Sequence, residues 1–189
     1  MVVFPTTGLY GLGADPLNPE AVERIFSLKA RDADKPLLVL IEQLAMMTRV
    51  AQPVSAMARH LMDCFWPGRL TFVVHALPNL PAGLTAGSGK IGVRQTAHPV
   101  AAALVRAAGG MLIGTSANIS GAGAIAAVAD LDPSVLEAVA MVLDAGPLTG
   151  QASTVVDVTA AAPLILRQGA VPGAAIMSAF RGFDPKTGG

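Results

Sequence analysis

The sequence predicts a single α/β domain, a twisted mixed sheet with flanking helices, over residues 1–181. Three observations carry this reading. Short apolar runs recur without polar alternation, as in strands covered on both faces. Helical patterns with legible starts lie between them. A chain of 189 residues that is 52% hydrophobic and 14% charged can bury a full core without disulfide or metal staples, and is not disordered.

Strands are expected at Val2–Phe4, Leu37–Ile41, Leu70–His75, Ile91–Arg94, Met111–Gly114, Met141–Leu143, Thr154–Val158 and Leu164–Leu166. Asn18-Pro19-Glu20 supplies an N-cap, a proline at the first helical position and an early acid, so a helix runs from there to Lys29 on a Val22/Ile25/Phe26 stripe. Pro53 opens a second helix, with Val54, Met57, Leu61 and Met62 on one face. His98-Pro99 opens a third, closed by Gly109-Gly110. Phe65, Trp66 and Pro67-Gly68 read as a packed turn before a strand, Cys64 as a core residue, and Gly182–Gly189 as a loose tail.

Several function classes fall away. Mean hydropathy is high, at +0.56. Yet the most apolar stretch, Pro99–Ile113, is broken by Arg106 and Gly109-Gly110, well short of the roughly 20 residues that span a bilayer. The start, MVVFPTTG, carries no basic leader, and one cysteine suits a reducing compartment. Both point to a cytoplasmic protein. Thirteen basic residues balance thirteen acidic ones, so no overall charge excess favours a polyanion. Gly8–Gly13 has the order G-x-x-G-x-G and fails the dinucleotide fingerprint. Gly87-Ser88-Gly89-Lys90 lacks the upstream glycine and the following Ser/Thr of a phosphate loop. His60, His75 and His98 lack metal spacing.

Two segments stand out. Lys29-Ala30-Arg31, with Lys35 close behind, gathers three cations in a charge-poor chain; it suits either an anion site or a solvated helix end favoured by the macrodipole. Gly114-Thr115-Ser116-Ala117-Asn118-Ile119-Ser120-Gly121 follows a strand and suits either a phosphate or carboxylate site or an ordinary turn. Arg94 and Arg167 emerge at further strand ends. Cations converging from several strand ends would suit a multiply charged anion such as ATP.

These segments together resemble the YrdC/YciO-like family, whose best-known members are threonylcarbamoyl-AMP synthases. Phe4-Pro5-Thr6-Thr7-Gly8-Leu9-Tyr10-Gly11-Leu12-Gly13 resembles the family's P-T-E-T-V-Y-G-L-G. Ile25 to Leu38 resembles I-F-x-x-K-x-R-x-x-x-x-P-L, and FWPGRLT at 65–71 resembles F-W-P-G-P-L-T. IGVR at 91–94, His98-Pro99, SANISG at 116–121, STVVDVT at 153–159 and ILRQGAV at 165–171 follow in order. The resemblance implies the YrdC-like fold with a concave, cationic cleft, in a short single-domain form without the family's N-terminal helix.

It also implies a nucleotidyltransferase that joins threonine, bicarbonate and ATP, with Mg2+, into threonylcarbamoyl-AMP and pyrophosphate for tRNA modification. Lys29 and Arg31 would be catalytic. Lys29, Arg31, Lys35, Ser116, Asn118 and Arg167 would bind ATP, while Arg94, Ser116 and Ser153 would hold the amino acid. No resident metal is implied. Partners would extend to tRNA or double-stranded RNA and to tRNA-modification proteins, with no membrane.

The departures fall mainly on the threonine side. Gly8 stands for the second threonine of P-T-E-T, Leu40 for a histidine, Ala152 for a glutamate, Arg69 for a proline, and Ala124-Ile125-Ala126 for S-P-T. They favour a divergent branch near the YciO type, so the alternative is a nucleotide- or RNA-binding protein without threonine-specific synthase activity. A third reading is an enzyme that moves a simple carbamoyl group. With Gly8 lacking a hydroxyl and Leu40 an imidazole, weak selectivity for threonine over valine or alanine is expected.

Overall fold

The computed structural model describes residues 1–30 and 36–184. Its strands divide between two mixed sheets rather than forming one. Strand β1 (Val2–Pro5) turns back through Thr6–Leu9 into β2 (Tyr10–Gly13), pairing antiparallel with Val2 opposite Gly13. The glycine-rich run that reads as a loop is therefore partly strand, and all four residues of β2 are buried. On its other edge β1 meets β8 (Met141–Val142) in parallel, and β2 meets β7 (Thr115–Ser116). The smaller sheet has the order β7-β2-β1-β8.

The larger sheet contains β3 (Leu38–Ile41), β4 (Leu70–His75), β5 (Lys90–Gln95), β6 (Met111–Ile113), β9 (Thr154–Asp157) and β10 (Leu164–Arg167). Their order is β10-β9-β4-β5-β3-β6, with β3–β5 and β4–β9 parallel. The inner strands are buried as continuous apolar runs require. At the edge strand β10 that expectation fails: Leu164 and Leu166 are exposed, because one flank of an edge strand has no neighbour to cover it.

Helix α1 (Pro19–Lys29) starts where its sequence says, with the Asn18 side chain accepting from the amides of Glu20 and Ala21. Helix α2 (Ala56–Phe65) starts later than Pro53 suggests, because Ser55 Oγ accepts from the Ala58 amide and caps it. Its buried stripe is Met57, Ala58, Leu61 and Met62. Cys64 falls to the side of that stripe, near His60, and is exposed rather than core. Helix α4 (Pro99–Ala107) follows His98 as read. The short α3 (Ala82–Thr85), α5 (Pro133–Ala138) and α6 (Gly173–Arg181) complete the set. Of the expected loose tail, Phe183 packs against the His60 ring at 5.4 Å, and residues 185–189 lie outside the described part.

A large core joins Val3, Leu12, Ile25, Leu61, Phe72, Val93 and Val156, and a smaller one under α4 joins Phe4, Leu40, Ala101, Val105 and Leu112. The chain steps from β6 in one sheet to β7 in the other at Gly114. A Cβ there would come within 2.7 Å of Leu40 Cγ, so the step needs a residue without a side chain. The two sheets part beside this step.

Candidate active site

Where the sheets part, a cleft of about 440 Å3 opens, in the range of small-molecule sites. Strand alternation sets its floor. Lys90, Gly92 and Arg94 project from one face of β5, Thr71 and Val73 from β4, and Ser153, Val155 and Asp157 from β9 and the residue before it. Val73 pairs with both Gly92 and Asp157, so these residues share one face. The Thr6–Leu9 turn, Ser116 and Arg167 form the walls.

Arg94 is the most confined charge in the cleft. It is 6% exposed, and its Nε is buried without a hydrogen-bond partner. Burial, then the nearby charges of Arg167 and Arg69, push its pKa down to about 10. Arg167 donates through Nε and Nη2 to Ser153 O at 3.3 and 2.8 Å, and burial lowers its pKa also. Ser153 Oγ lies 2.9 Å from Thr71 Oγ1, linking the two strands beneath the guanidinium groups. Lys90 pairs with Asp157 at 2.7 Å. Among the described lining residues Asp157 is the one acid, set against Lys90, Arg94 and Arg167.

The structure brings Lys29 together with Ser116 and Asn118. The lysine is 1% exposed, which excludes a solvated helix end. Its ammonium donates to Ser116 O at 2.6 Å, to Asn118 O, and to Asn118 Oδ1 at 3.4 Å. Asn118 Oδ1 accepts from Ser116 Oγ at 2.5 Å, and its Nδ2 donates to Ala122 O at 2.6 Å. Lys29 and Asn118 thus tie the 116–122 loop together, and Ser116 is its cleft-lining member. Arg31 and Lys35 lie outside the described residues.

Leu40 is a correction. It is fully buried among Phe4, Ala101, Val105 and Leu112, and Leu38 is the β3 residue that lines the cleft. Leu40 therefore presents no surface to an amino acid. Sequence reasoning also passed over Thr71 and the Lys90–Asp157 pair. Their strand parity with Arg94 and Ser153 was the available signal.

The Sua5/YciO/YrdC family model, described as "Telomere recombination", matches residues 1–169. The chain belongs to the Sua5/YciO/YrdC family. It is 35% identical over 173 residues to the threonylcarbamoyl-AMP synthase of Bacillus subtilis (strain 168), a match covering 90% of this chain and 50% of that protein. Among solved structures it resembles P. abyssi Sua5 complexed with L-threonine, with a TM-score of 0.86 and 35% identity over 94% of this chain and 53% of that one. It also resembles E. coli YciO, with a TM-score of 0.77 and 25% identity over 90% of this chain and 84% of that one. The chain spans about half the length of the Bacillus and Pyrococcus relatives of this family. Among the described residues, no helix is long and apolar enough to cross a membrane.

Proposed function

We propose that the cleft makes threonylcarbamoyl-AMP. The amine of threonine adds to bicarbonate with loss of water, and an oxygen of the resulting carbamate attacks the α-phosphorus of ATP. The bond from that phosphorus to the bridging oxygen breaks, and pyrophosphate leaves with the electron pair. No protein nucleophile is needed. The chain's task is to hold two anions together and to offset their repulsion.

The observation that carries this reading is Arg94, a nearly fully buried guanidinium with an unused Nε in a cleft whose acid is already paired. Such a group is costly to hold without an anion. In this reading Arg94 and Ser153 take the α-carboxylate, Arg167 and Ser116 take the nucleotide phosphates, and Lys29 and Asn118 keep the Ser116 loop in shape. Arg31 and Lys35 would add phosphate contacts, as the motif implies. Mg2+ would arrive on ATP: Asp157 is engaged by Lys90, and among the described residues no cluster of His, Cys, Asp and Glu could hold an ion. The threonylcarbamoyl group would pass to adenosine in tRNA with release of AMP, in the cytoplasm, with RNA or modification proteins as later partners.

Pyrophosphate release from Mg-ATP and bicarbonate tests this reading. It is expected to depend on threonine and to be lost in Arg94→Met. ATP binding without amino-acid-dependent release would favour the binding-protein alternative.

A further inference from the structure

Arg69 sits just before β4, where the family motif has proline. Its backbone is fixed on both sides: Gly68 N donates to Gln95 O at 2.9 Å, and Arg69 O accepts from Thr154 N at 3.1 Å. The side chain is rooted between the end of β5 and the start of β9, beside Arg94 and Ser153. Its Nη2 donates to Gln151 O at 2.8 Å.

The guanidinium also lies against a junction of two glycines. A Cβ built on Gly8 would meet Arg69 Nη2 at 2.8 Å and Gln151 O at 2.7 Å. A Cβ on Gly150 would meet the same Nη2 at 2.6 Å and Gly8 Cα at 2.8 Å. Position 8 therefore has no room for a side chain: the Gln151 carbonyl oxygen and the Arg69 guanidinium both stand where it would go. The guanidinium thus stands within contact of the place that a side chain at position 8 would begin to fill.

Gly8 and Gln151, which Arg69 touches, both line the cleft. Arg69 also acts on Arg94 through its charge. Among the described residues no carboxylate pairs with it, and its bond to Gln151 O uses one of the five N–H donors of a guanidinium.

The geometry points to Arg69 as a specificity-determining residue of the amino-acid end of the cleft, donating to the substrate's side-chain hydroxyl in place of the side chain missing at position 8. The inference rests on the synthase reading for its substrate. It replaces the expectation of weak selectivity, which treated Gly8 as an empty position. A site that hydrogen-bonds a hydroxyl discriminates against the isostere lacking it, because its donor is then stranded.

Calorimetric titration with L-threonine and its isostere L-valine, in the presence of ATP, provides the test. The wild-type chain is expected to bind threonine at least about tenfold tighter than valine, the scale of one hydrogen bond to a charged donor. Arg69→Met should bring the two affinities within about twofold and leave ATP affinity unchanged. Arg69→Lys keeps a cation and can hold Gln151 O, yet lacks the second arm of the fork. It should fold as wild type and still lose at least about threefold of the preference.

Equal wild-type affinity for valine and threonine would overturn the inference. So would an undiminished preference in Arg69→Lys or Arg69→Met. Preferential threonine binding without pyrophosphate release would sink the synthase reading and leave the role of Arg69 standing.

Discussion

The Lys29 ammonium donates to the main-chain carbonyl of Ser116 across 87 residues of sequence, at 2.6 Å. The last turn of α1 is thereby fixed to the strand that walls the cleft. The lysine belongs to a recognisable motif, and its ammonium reaches main-chain and side-chain oxygens of the 116–122 loop.

Lys29→Met should therefore destabilise the fold, since it takes the ammonium away from the part-buried Ser116 and Asn118 carbonyls. At the lower end of about 1–3 kcal/mol for each group, the loss should be about 2 kcal/mol. The shift of a urea unfolding midpoint measures it. A change under about 0.5 kcal/mol would show that the loop stands without this support.

Arg94 should behave in the opposite sense. A buried guanidinium with an unused donor, beside Arg69 and Arg167, costs the empty protein stability. Arg94→Met should raise stability by about 1–3 kcal/mol and remove amino-acid binding. The pH dependence has a definite sign. A cation with a lowered pKa binds fewer protons folded than unfolded, so stability should rise as pH climbs through about 10. Thermal unfolding of wild type and Arg94→Met at pH 8 to 11 checks both statements, and the rise should be smaller in the variant, where of the two arginines with a lowered pKa only Arg167 remains.

Asp157 gives an acid-side counterpart. Burial would raise its carboxyl, but hydrogen bonds from Lys90 and Thr159 outweigh burial and hold it below the usual carboxylate range. A lowered acid contributes stability above its unfolded pKa and loses it as pH falls through the folded value. Asp157→Asn should flatten the stability curve below about pH 4. Because Lys90 is partly exposed, the cost at neutral pH should stay near about 1 kcal/mol. Denaturant titrations at pH 3 and 7 compare the two proteins.

Tyr10, the one tyrosine of the chain, is 1% exposed. Its hydroxyl lies 2.9 Å from Asp144 Oδ1 and 2.8 Å from Gly146 O as donor, and accepts from the Ala145 amide at 2.9 Å. Tyr10→Phe should cost about 1 kcal/mol by removing these part-buried hydrogen bonds. Amide exchange should quicken at Ala145, whose N–H loses its acceptor.

What could be read in advance follows from where the signals lie. Buried strands such as Leu70–His75, and α1 with its Asn18 cap, carry their evidence in a few neighbouring residues, and they were found. Tyr10–Gly13 and Thr115–Ser116 were not. Glycine and hydroxyl residues read as turns, and only pairing with β1 and with each other makes them strands. Helix α6 opens on Gly173-Ala174-Ala175 with no side-chain cap, so nothing local announced it. In the site, Arg94 and Ser153 were legible from motifs. Leu40 was misplaced because a motif gives no direction to a side chain, whereas the smaller core does. Arg69 was noted as a departure, but its contact with Gly8 exists only once residues 8, 69 and 150 are brought together.

Strand β1 lies between β2, reached by a tight turn, and β8, whose Met141 sits opposite Val2. A ribosome must therefore extend the chain past residue 142 before the first strand has both neighbours, and past Arg167 before the cleft has all its walls. Contacts this distant in sequence are slow to close. Until they do, no fragment holds a complete set of anion-binding groups, and a ligand can stabilise only the finished chain. Nascent protein should thus be invisible to its own substrates. Added ligand should slow unfolding of the mature molecule and leave the early steps of its folding unchanged.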